Sequence, residues 1–173
     1  MKSIALIHTV KTVAVSFDET LKQYVGEEIR VHNLWDDFLA NNPNEVGKFT
    51  IENRNRLFFD IKSAEMTGAD LIVVTCSTLT PVVNMIRPLV RVPLIAIDDA
   101  LGRKAVTYGE NILILATAGS TREPLTDKLQ TEAEKIGKKI QIDFRDHAEA
   151  FRAMKALQMD RHDALLLKMA EEI

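Results

Sequence analysis

The one cysteine of the 173-residue sequence, Cys76, lies in the run DLIVVTCSTLTPVV at 70–83. A continuous β-branched stretch of strand length precedes it, and Thr80-Pro81 opens a helix after it. In an open parallel sheet, ligands bind outside the carboxyl ends of the strands, and Cys76 falls at such an end. It also lies near the N-terminus of the next helix, where the dipole lowers a thiol pKa and favours thiolate. Ser77, Thr78 and Thr80 surround it with hydroxyls. Together with backbone N–H groups they make a neutral anion cradle suited to a carboxylate. A thiolate beside such a cradle is equipped to take a proton from the carbon next to the carboxylate. The other reading is a buried, inert cysteine acting as a small hydrophobe, and position alone leaves both open.

The elements that would position Cys76 follow from the periodicity. Residues 3–8 form a strand. A helix runs from Asp18 to Gly26, with Ser16 as its cap. Residues 28–34 form a second strand, and 35–49, rich in Asn with Pro43 and Gly47, read as a long loop. A helix follows over 50–67, closed by Gly68. Strands are expected at 70–75, 93–97, 111–116 and 139–144. Helices are expected at 80–89, 98–108, from Pro124 to Ile136, at 147–157 and at 160–173. Ser120 and Glu123 have capping-box spacing before Pro124. The alternation predicts an α/β fold with parallel sheets flanked by helices. Residues 70–83 and 111–124 share a plan of strand, hydroxyl-rich turn and helix with an early proline, which suggests two similar halves. The expected division is a first α/β lobe over 1–100, carrying Cys76, and a second over 101–173. With only two strands the second lobe is thin for an independent core. Either it leans on the first lobe or a partner chain, or the sequence stops before a final strand.

Composition bounds the function. Lys+Arg is 22 and Asp+Glu 25, for a net charge of −3. Without a basic block the chain is a poor candidate for nucleic acid or an anionic membrane surface. No apolar run approaches the ~20 residues of a membrane span, and the start is too short in apolar residues for a signal peptide. A lone cysteine excludes an internal disulfide framework and a CxxC knuckle. The expectation is a soluble cytoplasmic protein. GxGxxG, P-loop, HExxH and GxSxG patterns are absent. The four histidines have no metal-ligand spacing, so no metal is expected.

TCSTLTPVV resembles the first-cysteine turn of the aspartate/glutamate/hydantoin racemase superfamily. PLIAIDDA at 93–100 is similar to that group's strand-and-acid segment, LATAGSTREP at 115–124 to its second Thr/Gly/Ser turn, and IALIHTV to its first strand and turn. The resemblance implies two similar α/β lobes with the active site in the cleft between them. It implies cofactor-independent chemistry in which two opposed cysteines exchange the α-proton. Cys76 matches the first. Ser77 and Thr78 match positions that hold the substrate carboxylate. Thr117, Ser120 and Thr121 match the polar turn of the second lobe, and His8 and Thr9 occupy the first turn, which lines the cleft in relatives. The second cysteine of the group has no counterpart here, and inversion of a stereocentre needs an acid and a base on opposite faces.

The resemblance thus implies a racemase or epimerase acting on a small carboxylate of amino acid or hydantoin type, and it allows a homodimer. A decarboxylase or cis–trans isomerase of small diacids, or a carboxylate-binding paralogue without turnover, are the competing readings. His8 reads as a cleft residue or as a hydrogen-bonded histidine at a strand end. Ser77, Thr78 and Ser120 read as ligand contacts or caps, Asp98 and Asp99 as first-turn partners of a helix dipole ahead of catalytic acids, and Arg54 and Arg56 as a solvated helix face ahead of a contact to a substrate carboxylate. Trp35 is a lid or a packing residue, and His147 and His162 read as surface helix residues.

Overall fold

The structure, a computed structural model, describes residues 1–25 and 28–173. The expected helix end at Gly26 lies outside the described residues. The chain divides into two compact units, Met1–Ile97 and Asp98–Ile173.

The first unit runs β1 (Lys2–His8), α1 (Lys11–Val25), β2 (Ile29–Trp35), α2 (Phe38–Val46), α3 (Ile51–Met66), β3 (Leu71–Val74), a 3-10 turn (Ser77–Leu79), α4 (Thr80–Ile86), a second 3-10 turn (Arg87–Leu89) and β4 (Leu94–Ala96). Its sheet is parallel throughout, in the order β2-β1-β3-β4. The strand order reverses between β1 and β3. Right-handed crossovers then place α1 on one face and α3 and α4 on the other. The sequence alternates accordingly. Ala5, Ile7, Ile72 and Val74 pack with Leu39 of α2, Leu57 and Ile61 of α3, and Val83 and Ile86 of α4. Leu6 and His8 point to the other face, where the ring of Phe17 on α1 meets His8 edge-on at 5.9 Å.

Two expectations in this unit are corrected. The first helix starts at Lys11 rather than Asp18. Ser16 is therefore inside it, its hydroxyl donating to the Thr12 carbonyl at 3.0 Å, and the apolar side chains Val13, Phe17 and Leu21 supply a half-buried stripe at four-residue spacing. Residues 35–49 are not a long loop. Trp35 ends β2 and α2 occupies 38–46, with Pro43 inside it. The helix forms because Asp36 Oδ1 accepts from the Phe38 N–H at 3.1 Å, Leu39 is fully buried, and Gly47 at φ 74° closes the C-terminus by donating to the Pro43 carbonyl. Thr50 caps α3 through a reciprocal box with Asn53.

The second unit runs α5 (Asp99–Tyr108), β5 (Asn111–Ala116), a 3-10 turn (Gly119–Thr121), α6 (Arg122–Lys135), β6 (Gln141–Asp146), α7 (Ala148–Lys155) and α8 (Met159–Glu171). β5 and β6 pair in parallel as a separate two-stranded sheet. Val106, Leu129 and Ala133 form its core with Ile112, Ile114, Ile140 and Ile142. A buried ionic cluster joins α5 to α6: Lys128 Nζ lies 2.5 Å from Asp99 Oδ1 and 3.2 Å from Glu132 Oε1. Asp99 is thus an ion-pair partner as well as a first-turn residue.

Ser120 lies within the 3-10 turn, and Thr121, the residue before α6, makes no side-chain cap hydrogen bond. His147 is the N-cap of α7, its Nδ1 accepting from the Ala150 N–H at 3.3 Å. His162 is only 13% exposed and lies 2.7 Å from Asp163 Oδ1. Among the described residues, no helix is long and apolar enough to cross a membrane.

Candidate functional site

Cys76 sits two residues past β3, at the carboxyl end of the sheet and at the point where the strand order reverses. That is where ligands meet open parallel sheets. Its backbone is still extended (φ −131°, ψ 116°), and its carbonyl accepts from the Leu79 N–H at 3.0 Å, which closes the 3-10 turn. Leu79 is fully buried and anchors that turn in the core. Cys76 is half-buried against the same core, and Ser77 and Thr78 are half-buried beside it.

His8 ends the neighbouring strand and Thr9 follows it, and both are buried. The Thr75 N–H donates to the Ile7 carbonyl at 3.0 Å, which fixes the end of β3 against β1. Side chains continue the connection. His8 Nδ1 lies 2.8 Å from Thr75 Oγ1, and His8 Nε2 lies 2.9 Å from Asn33 Oδ1. Asn33 Nδ2 donates to Asp18 Oδ1 at 2.9 Å. Burial lowers the pKa of His8, more than the hydrogen bond to Asn33 and the charge of Asp18 raise it. The imidazole is therefore neutral near pH 7. Asn33 Oδ1 can only accept, so the proton belongs on Nε2, and Nδ1 accepts from the Thr75 hydroxyl.

A second polar cluster lies at the end of β2, a cluster that the periodicity did not reveal. The Asp36 N–H donates to the His8 carbonyl at 2.9 Å. Arg56 Nε donates to Asp36 Oδ2, and its guanidinium lies over the Phe38 ring at 4.9 Å. Asp60, one turn along α3, has a buried Oδ2 with no hydrogen-bond donor. Burial, then the hydrogen bond and charge of Asp36, push its carboxyl up to about 7 against the opposing charge of Arg56. Arg56 is thus an anchor for Asp36 as well as part of an exposed helix face. The i, i+4 spacing of Arg56 and Asp60 was visible in the sequence; the arrival of Asp36 opposite them required the fold.

In the second unit the corresponding turn carries Thr117 and Thr121, both half-buried, and Ser120, which is exposed. The Thr121 hydroxyl donates to the Ala118 carbonyl at 2.7 Å. Ala118 has the extended backbone of Cys76 (φ −123°, ψ 124°) and also precedes a three-residue 3-10 turn. The internal echo is therefore a repeated backbone, with alanine where the first copy has its thiol. Asp146 and Arg122 belong to this end of the unit and were not singled out by the sequence. The Arg122 guanidinium lies 4.3 Å over the Phe144 ring and 3.8 Å from Asp146 Oδ1. A Cβ on Gly119 would meet Asp146 Oδ2 at 3.4 Å, so the carboxylate is set against the turn backbone. Among the described residues, no group of three or more His, Cys, Asp or Glu side chains could hold a metal ion.

Known proteins share this architecture. An aspartate racemase of Picrophilus torridus superposes with a TM-score of 0.70 at 15% identity, over 94% of this chain and 71% of that one. An aspartate racemase homologue from Pyrococcus horikoshii OT3 gives 0.58 at 18% identity, over 91% and 69%. A glycine-to-cysteine mutant of arylmalonate decarboxylase gives 0.51 at 14% identity, over 98% and 74%. No protein of curated function matches the chain by sequence. The family model described as Asp/Glu/Hydantoin racemase matches residues 50–173, a span that contains Cys76 and the second hydroxyl-bearing turn. The chain belongs to the Asp/Glu/hydantoin racemase family.

Proposed function

We propose that this protein is a cofactor-independent racemase or epimerase that acts on the α-carbon of a small carboxylate, of amino acid or hydantoin type. The observation that carries the reading is the place of Cys76: on the turn after β3, at the reversal of strand order, in a chain of this family. As thiolate, Cys76 removes the α-proton of the bound substrate. Ser77 and Thr78 hold its carboxylate, and Thr117, Ser120 and Thr121 supply further hydroxyl contacts. His8 and Thr9 support the first turn. Removing the proton generates negative charge on the carboxylate, so donors already aimed at it lower the barrier. Completing an inversion requires a second acid on the opposite face.

The second reading is a decarboxylase of small diacids on the same scaffold. It draws on the fold likeness to the arylmalonate decarboxylase mutant and on alanine at the repeat position of Cys76. Loss of CO2 followed by one protonation needs a single proton donor.

Proton NMR in D2O tests the proposal. Wild type and Cys76→Ser are incubated with aspartate, glutamate and a hydantoin. Wild type is expected to exchange the α-proton of a substrate and the variant to lose that exchange. Polarimetry on the same sample then reports whether inversion follows. Carboxylate binding without exchange that survives Cys76→Ala would replace the enzyme reading with a binding protein.

A further inference from the structure

We propose that His8 is a positioning residue for Cys76, acting through Thr75 and held in register by Asn33 and Asp18. This inference rests on the reading of Cys76 as the base. Its physical content is a continuous hydrogen-bonded chain of side chains crossing the first unit, from the half-buried Thr75 just past β3 and the buried His8 at the end of β1 out to the exposed Asn33 on β2 and the half-buried Asp18 on α1. Each link has defined polarity. The Asp18 carboxylate accepts from the Asn33 amide and so orients its oxygen toward His8. That oxygen accepts only, which fixes the His8 proton on Nε2. Nδ1 is left as an acceptor 2.8 Å from the Thr75 hydroxyl. Thr75 is the residue before Cys76, so its rotamer and backbone set the direction in which the cysteine turn leaves the sheet.

The Thr75 hydroxyl has a second acceptor, the Ile7 carbonyl at 3.1 Å. While His8 is neutral, the hydroxyl can donate to Nδ1. When His8 is protonated, Nδ1 becomes a donor and the hydroxyl must turn to Ile7. The turn that carries Cys76 thus has two hydrogen-bonded states, selected by one imidazole with no water exposure. The charged groups near this imidazole are Asp18, reached through Asn33, and Asp36, whose N–H bonds the His8 carbonyl. Phe17 of α1 covers the ring edge and Thr75 is the neighbour from β3.

The test compares His8→Leu with His8→Asn, which carries an oxygen where Nδ1 sits. Cys76 is the one thiol of the sequence, so its iodoacetamide alkylation rate, measured from pH 6 to 9 without substrate, reads the turn directly. His8→Leu is expected to change the pH dependence of alkylation and to lower kcat by about tenfold with KM nearly unchanged, and His8→Asn to restore most of both. Thr75→Val, nearly isosteric, is expected to reproduce His8→Leu and serves if His8→Leu does not fold. Wild-type alkylation profiles in folded His8→Leu or Thr75→Val overturn the proposal. The D2O exchange of wild type judges the Cys76 reading separately. A wild type that exchanges no substrate, together with a changed alkylation profile in His8→Leu, would refute the racemase reading and leave the positioning role standing.

Discussion

Asp60→Asn should flatten the pH dependence of stability between about pH 4 and 7. In the folded protein the Asp60 carboxyl is held up to about 7, against an ordinary value of 3.8, chiefly by burial and then by Asp36. Below both values it is protonated in folded and unfolded chains alike and contributes no pH dependence. As pH rises from about 4, the unfolded chain releases this proton while the folded chain retains it. Folding therefore loses stability until pH passes about 7, where both states are ionised. The full gap corresponds to about 4 kcal/mol. Asp60 is only partly buried and borders a groove of about 570 Å³, also lined by Phe38, Glu52, Asn55, Arg56 and Phe59. Water in that groove screens the charge and reduces the cost to about 1–2 kcal/mol. The asparagine amide keeps a donor facing Asp36 and carries no charge to lose. Urea unfolding at pH 4, 5, 6, 7 and 8 should give stabilities that nearly match at pH 4 and a variant more stable by about 1–2 kcal/mol at pH 8. Parallel curves for wild type and variant across that range would refute the reasoning.

Two further outcomes concern stability. Lys128→Ala leaves Asp99 and Glu132 buried without their shared cation and should cost about 3 kcal/mol in urea unfolding. Asn53 is fully buried, accepts from the Thr50 N–H and hydroxyl, and donates to Asn42 of α2. Asn53→Ala should cost about 2 kcal/mol and raise hydrogen exchange in α2 before it does so in β1 and β3.

The strands were legible from sequence because they are continuous β-branched runs, and β1, β3 and β5 lie within a residue or so of expectation. The helix α2 was not, because Pro43 and three asparagines outweigh local propensity. What stabilises it is non-local: Leu39 buried in the sheet-facing core and Asn42 bonded to Asn53 eleven residues on. The start of α1 was placed seven residues late for a similar reason. Lys11 to Phe17 is β-branched and carries no cap signal, yet Phe17 gains a contact on His8 once β1 and β2 pair.

The sequence by itself determined the α/β alternation, the turn after β3 with its thiol and hydroxyls, and the repeat of that turn forty residues on. Local chemistry writes those features, since strand composition, proline position and turn hydroxyls act over a few residues. Only the tertiary structure decided which strands are neighbours. By setting β1 between β2 and β3 it brought Asp18, Asn33, His8 and Thr75, separated by up to 67 residues, into one hydrogen-bonded line ending beside Cys76. It likewise set Asp36 against Arg56 and Asp60 across two elements. Hydrogen bonds and charge pairs of this kind depend on distances of about 3 Å, and chain separation along the sequence carries no such distance.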